Sequence, residues 1–168
     1  MRTVDLSAID HHLPIVESTI RLATWSTEDD TRAFARARAD RRAIGNAFIE
    51  LHGDLGAGKT TLVRHLLQAL GVPGRIKSPT YAVLEAYEVP GLAIWHFDFY
   101  RFNDPAEWED AGFRDIFSGP GLKLAEWPEK VGALLPVADL VIRIEVQAGE
   151  SRQVVLCAQT PLGRELLE

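Results

Sequence analysis

Leu62, Val63, Leu66, Leu67 and Leu70 recur at helical spacing, and Gly71 follows them as a stop. Ahead of that helix lies NAFIELHG (46–53), a short, mostly apolar run of the kind a buried central strand carries. TIRLAT (19–24) alternates in polarity and leads to Ser26, a good N-cap with Asp29 three residues on, so a helix is predicted over about 27–42. KSPTYAV (77–83) begins as a loop and becomes a strand. AVLEAYEV and LAIWHFDFY flank the turn residues Pro90-Gly91 and read as a hairpin. Asp104, Pro105 and Glu107 form a helix start, with Asp as N-cap, Pro at the first helical position and Glu at the third, for a helix reaching about Gly112. GLKLAEW (121–127) is a further strand, stopped by Pro128. ADLVIRIEV and SRQVVLCAQ close the pattern as a hairpin around Ala148-Gly149.

Residues 1–17 have mixed polarity and no sustained period, and read as a loose N-terminal extension to a domain spanning 18–168. The chain carries no repeat, low-complexity tract or linker. These elements predict a single α/β domain with a mixed, mostly parallel central sheet flanked by helices and β-hairpins.

The 168 residues suffice for one domain with a sizeable core, and 46% hydrophobic with 25% charged residues is an ordinary globular composition. A lone cysteine, Cys157, excludes an intrachain disulfide and fits a reducing compartment. No run approaches the ~20 apolar residues of a membrane span, and MRTVDLSAIDHHLP lacks the apolar stretch of a secretory signal. A cytoplasmic protein with no membrane contact is expected. The formal charge of -6 argues against a chain that holds nucleic acid by itself. RAFARARADRR (32–42) is the local exception: it reads as the solvated face of a helix or, more sharply, as a docking patch for RNA or an acidic partner.

The candidate chemistry begins at GDLGAGKTT. Gly53-x-x-x-x-Gly58-Lys59-Thr60 is the P-loop pattern, with a strand before it and a helix after it. Wrapping successive N–H groups around a phosphate needs backbone conformations that glycine reaches cheaply, and the positive end of the following helix adds to that field. Gly53, Asp54, Leu55, Gly56, Ala57, Gly58, Lys59, Thr60 and Thr61 form the expected nucleotide-binding stretch. Lys59 would reach the β and γ phosphates, and Thr60 would offer its hydroxyl to Mg²⁺. No Asn-Lys-x-Asp guanine-reading motif occurs, which favours ATP.

A P-loop enzyme also needs an acid at a strand's C-terminal end to hold Mg²⁺, and a group that orients the attacking water or acceptor. Asp98, closing AIWHFD, and Glu126, closing LKLAE, are the candidates for both roles, and the alternative is that each caps its strand. Ser78 and Thr80 lie in a loop suited to sensing a γ-phosphate. His96 reads as a partner of the acids or, by default, as an ordinary half-buried strand histidine. Trp127 could stack on a base or pack in the core. His52, just before the loop, is expected to be structural.

LHGDLGAGKTTLVRHLLQALGV, KSPTY, HFDFYR followed by DPAEW, and AEWPEK occur in that order. Together they resemble the TsaE family, the P-loop ATPases of bacterial tRNA threonylcarbamoyladenosine biosynthesis, over about residues 19–147. The resemblance implies a P-loop NTPase fold, ATP and Mg²⁺ as ligands, and work alongside TsaD and TsaB type proteins. Those partners transfer a threonylcarbamoyl group to the adenosine next to the anticodon, so tRNA would be met only through the complex. ATP turnover here would reset the complex between rounds. The implied functional residues are Lys59, Thr60 and Thr61, Asp98 of HFDFYR, and Glu126 with Trp127 of AEWPEK.

Two other readings remain open on the residues. A small-molecule kinase would carry a lid of arginines clamping the transferred phosphoryl group, whereas Arg101, Arg114, Arg143, Arg152 and Arg164 are scattered across predicted elements. A nucleotide-gated binding module would bind ATP with hydrolysis incidental.

Overall fold

The structure is a computed structural model that describes residues 18–79 and 82–168. Seven strands form one sheet in the order β1-β7-β6-β2-β5-β4-β3: β1 (Thr19–Trp25), β2 (Phe48–His52), β3 (Leu84–Val89), β4 (Leu92–Asp98), β5 (Leu122–Glu126), β6 (Leu140–Val146) and β7 (Arg152–Ala158). Strands β4, β5, β2 and β6 are mutually parallel and make the centre. The hairpin strand β3 on one side and β7 on the other run antiparallel to it, and β1 pairs antiparallel with β7. Helices α1 (Glu28–Ala39), α2 (Lys59–Ala69), α3 (Ala106–Asp110), α4 (Arg114–Ser118) and α5 (Pro161–Leu167) complete the domain. None of them is long and apolar enough to cross a membrane.

Alternation along the central strands assigns each residue a face. Ile49, Leu51, Leu122, Leu124, Ile142 and Ile144 point to one side, where α1, α2 and α5 bury them. Phe48, Phe97, Ala125 and Phe99 point to the other, where Phe102, Trp108 and Phe117 of α4 cover them. The same parity sets His96, Asp98 and Glu126 on the α2 side and at one end of the sheet.

Both expected hairpins and the strands they contain are present, as are α2 and its Gly71 stop. Helix α1 differs at both ends. Its entry is built on Asp30, not Asp29: the Asp30 carboxylate accepts the backbone N–H groups of Ser26 at 2.8 Å and Thr27 at 3.2 Å, so Thr27 is the cap residue. It ends at Ala39 because the chain then tightens into a 3-10 turn over Arg42–Asn46 that drives Ala43 and Ile44 into the core. The Glu107 side chain accepts N–H groups of Asn103 and Asp104, as the Asp-Pro-x-Glu pattern implies.

Sequence periodicity missed α4 and α5, both too short to show a period. Helix α5 has a strong local signal nonetheless. Thr160 accepts the Gly163 N–H at 3.1 Å and Pro161 occupies the first turn. A clasp on Asp139 holds that helix to the sheet. One Asp139 carboxylate oxygen accepts the Phe48 N–H at 2.7 Å and the other accepts the Thr160 hydroxyl at 2.7 Å.

Gly163 packs directly on this clasp, where an added Cβ would collide with the Asp139 carbonyl oxygen. Gly163→Ala should therefore destabilise the fold by roughly 1–3 kcal/mol, lowering Tm by about 2–4 °C per kcal/mol. Gly45→Ala, whose Cβ would have no atom within 4 Å, should leave Tm nearly unchanged. Equal melting temperatures for the two variants would refute this account of α5 docking.

Candidate nucleotide site

Strand β2 runs into the glycine loop at Gly53, and the loop returns as α2 at Lys59. Asp54, Leu55 and Gly56 form its exposed tip, whereas Ala57 is buried and closes a turn by donating its N–H to the Asp54 carbonyl at 3.0 Å. Two glycines are required by close approach as well as by backbone angle. A Cβ on Gly53 would lie 2.7 Å from the Ile144 carbonyl oxygen of β6. Gly58 has φ of 108° and caps α2, and a Cβ there would meet the Arg152 Nε at 3.1 Å. Arg152 braces the loop from behind, donating from Nε to the Ala57 carbonyl at 2.7 Å. That role was not legible from its scatter among other arginines, since only the β6–β7 hairpin brings it under the loop.

In front of the loop, Lys59, Thr60, Asp98, Glu126 and Trp127 converge. Lys59 is 5% exposed, donates to the Gly53 carbonyl, and lies 3.6 Å from the centre of the Trp127 ring. Burial pulls the Lys59 ammonium below its ordinary pKa, opposed by Glu126, Glu129, Asp98 and Asp54. Thr60 donates its hydroxyl to Glu126 Oε1 at 2.9 Å. Asp98 and Glu126 are direct partners in the β4–β5 register. Asp98 accepts the Tyr100 N–H at 3.0 Å. Thr61 is half-buried in the first turn of α2. Trp127 is half-buried, with φ of 55°, a left-handed conformation uncommon for a residue of its size, and packs on Tyr100 at 5.0 Å.

His96 departs from the default reading. It is fully buried, and its Nε2 lies 2.6 Å from Glu126 Oε2. The signal was its position two residues before Asp98, hence on the same strand face. His52 lies 3.0 Å from Glu50 and 3.6 Å from Glu129, tying the strand before the loop to the segment after Trp127. Ser78 lines an open groove with Arg64, Gln68, Arg75 and Lys77 along α2, and Thr80 lies outside the described residues. The arginine-rich helix α1 is not a uniform solvated face. Arg32 pairs with Asp29 at 2.6 Å, but Arg38 stacks 4.2 Å from the Phe34 ring centre with its Nε buried.

Among the described residues, no group of three His, Cys, Asp or Glu side chains could hold a metal alone. One hydroxyl and two carboxylates beside a phosphate cradle are instead the sparse protein contribution that Mg²⁺ accepts when phosphates and water complete its shell. The loop, whose three glycines all have positive φ and whose Gly53 and Gly58 leave no room for side chains, fits a polyphosphate.

The family model described as threonylcarbamoyl adenosine biosynthesis protein TsaE matches residues 25–154. A Haemophilus influenzae protein named tRNA threonylcarbamoyladenosine biosynthesis protein TsaE is 46% identical over 119 residues, covering 71% of this chain and 75% of its own. The Bacillus subtilis protein of the same name is 34% identical over 136 residues, covering 80% and 84%. The crystal structure of Bacillus subtilis YdiB superposes with a TM-score of 0.72 at 25% identity, covering 90% of this chain and 94% of that one.

Burial pushes the Asp98 carboxyl above its ordinary value; the Tyr100 N–H opposes this and the Glu126 charge adds to it. The folded chain therefore holds that proton more readily than the unfolded chain, so ionised Asp98 costs stability above its folded pKa. Asp98→Asn should raise the Tm of the ligand-free protein near neutral pH. The gain should shrink as pH falls through the folded pKa and vanish below the ordinary value of 3.8. Thermal melts across that range test it, and an unchanged or lower Tm at neutral pH would show that burial and Glu126 do not penalise the ionised Asp98.

Proposed function

The chain belongs to the TsaE family, and on that premise we propose that it is a Mg²⁺-dependent ATPase of the cytoplasm, acting in threonylcarbamoyladenosine biosynthesis on tRNA. In this reading it resets a transfer complex of TsaD and TsaB type proteins and does not transfer the threonylcarbamoyl group itself. The observation that carries the proposal is the convergence of Lys59, Thr60, Asp98 and Glu126 at one end of the parallel sheet, in front of the glycine loop.

Each group has a distinct task. The backbone N–H groups of residues 53–61 and the N-terminus of α2 receive the phosphates. Lys59 exchanges its contacts with the Gly53 carbonyl and Trp127 for the phosphate oxygens, which relieves the burial of an ammonium in a confined site. Thr60 and Glu126 make the metal side, because their hydrogen bond already aligns the hydroxyl with a carboxylate. Asp98, directly across the ladder, faces the metal's water or the nucleophile. When bound, Mg²⁺ supplies positive charge to the phosphate oxygens as the terminal phosphoryl group departs. Trp127, next to Lys59, offers an aromatic face to the nucleotide.

The kinase reading loses support from the arginines. Arg152 is engaged behind the loop, and Arg114 pairs with Glu109 and lies over Trp108. With Arg152 on the far side of the loop, the isolated chain should hydrolyse ATP slowly. An arginine supplied by a partner is worth about 10³–10⁵ in other P-loop systems. Rapid turnover by the purified chain, with no gain from TsaD and TsaB type proteins, would overturn the resetting role.

Lys59→Ala should weaken ATP binding strongly with and without Mg²⁺, whereas Thr60→Ala should remove mainly the Mg²⁺-dependent part. Calorimetry with ATP distinguishes them, and unchanged affinity in Lys59→Ala would discard the loop assignment. Asp98→Asn and Glu126→Gln should fold and, without Mg²⁺, bind nucleotide as well as or better than the parent, because like-charge repulsion beside a triphosphate falls; Glu126→Gln should lose the Mg²⁺-dependent part of the affinity. Their partner-stimulated turnover should nonetheless collapse, since what they lose is needed in the transition state. Near-normal turnover in either variant would return that acid to a strand-capping role.

A further inference from the structure

We propose that His96 is a positioning residue for the metal side of the site, acting through Glu126 on the hydroxyl of Thr60. The inference rests on the reading of Glu126 as the metal-side acid. It adds a function for a residue outside the glycine loop, on a strand separated from β2 by β5.

The argument starts from the two oxygens of Glu126. Oε1 accepts the Thr60 hydroxyl at 2.9 Å, and Oε2 lies 2.6 Å from His96 Nε2. A carboxylate only accepts, so Nε2 carries the hydrogen and donates it. At 2% exposure for Glu126 and 0% for His96, water does not compete for either bond. A carboxylate held at one oxygen can still pivot about its side-chain torsions. Held at both oxygens by groups from two other elements, β4 and α2, it cannot.

That rigidity decides what Thr60 can do. A hydroxyl has one hydrogen and two lone pairs. With its hydrogen committed to Glu126 Oε1, both lone pairs remain for a cation at the loop. If Glu126 turned away, the hydroxyl hydrogen would be free to rotate towards the loop, and the cation would meet a donor. His96 Nδ1 is buried and has no hydrogen-bond partner among the described residues. An unpaired acceptor is better tolerated in an interior than an unpaired N–H. The ring therefore keeps its hydrogen on Nε2, aimed at Glu126.

Parity along the strands explains why a histidine fits here. His96 faces the α2 side with Asp98, two register positions behind the Asp98–Glu126 pair, opposite Leu124. From that position its ring reaches forward to Glu126. Asp98 is occupied separately by the Tyr100 N–H, so the two acids are oriented by different groups.

The test is the Mg²⁺ dependence of ATP affinity, measured by calorimetry on the full chain, with hydrolysis as a second readout. His96→Leu should lower the Mg²⁺-dependent part of the affinity roughly tenfold to a hundredfold, the usual effect of removing the residue that orients a metal ligand. Affinity without Mg²⁺ should be retained. His96→Gln sets an amide nitrogen near the Nε2 position and should recover most of the loss. His96→Asn, equally polar but too short, should not. In a Glu126→Gln background, His96→Leu should add nothing further, because the two residues act as one unit.

Retention of the Mg²⁺-dependent affinity in both His96→Leu and His96→Asn, while Glu126→Gln loses it, would overturn the role of His96 alone. Retention in Glu126→Gln itself would overturn the metal-side reading and the His96 proposal together. Equal losses with and without Mg²⁺ in His96→Asn and His96→Gln, with lowered Tm in each, would reduce His96 to a packing residue. The pair also covers the case in which His96→Leu does not fold.

Discussion

Parallel pairing of β4, β5 and β2 makes three strands end at the same edge of the sheet, and the rest of the site follows from it. Asp98 and Glu126 are neighbours because their strands are parallel and in register, and the glycine loop starts where β2 leaves the same edge. Had β4 or β5 run the other way, one acid would lie at the far end of the sheet. The pairing also buries what it assembles. Lys59, His96 and Glu126 are all nearly or fully shielded from water, a costly arrangement unless the groups satisfy one another. They do so through Thr60, His96 and the face of Trp127. Leaving one of these groups without its partner would expose it to that cost, so the site carries structural as well as chemical weight.

The antiparallel flank has a part in the site as well. Strand β6 brings its Ile144 carbonyl against Gly53, and β7 sends Arg152 to the Ala57 carbonyl behind Gly58. A phosphate cradle needs its N–H groups to face inward, which turns carbonyls outward; Arg152 supplies a charged donor to one of those carbonyls. Strands β6 and β7 thus wall the loop, and Gly53 and Gly58 are needed where they approach it.

The ammonium of Lys59 is surrounded by a carbonyl, an aromatic ring and carboxylates at longer range. These contacts hold the lysine in the site at less than its full solvation. In the proposed reading, phosphates would offer a stronger partner for the same charge and would free the ring of Trp127. Trp127 begins the 3-10 turn that carries Glu129, and Glu129 faces His52 at the foot of the loop. These contacts link Lys59, through Trp127 and Glu129, to His52.

Periodicity and local chemistry in the sequence determined most of the elements. Alternation marks the strands, the leucine pattern marks α2, and the spacing of glycines, lysine and threonine marks the loop, because each depends only on neighbours within a few residues. Asp98 and Glu126 were legible as strand-ending acids for the same reason. Their adjacency was not, since it depends on pairing between strands far apart in the chain. The burial of His96 and its bond to Glu126, the brace from Arg152, and the loss of Arg38 from the basic face onto Phe34 all depend on such distant contacts. Helices α4 and α5 escaped because each is held by the core it covers, not by an intrinsic period. Local sequence set which groups were available for chemistry; only the order and direction of the strands decided which of them meet.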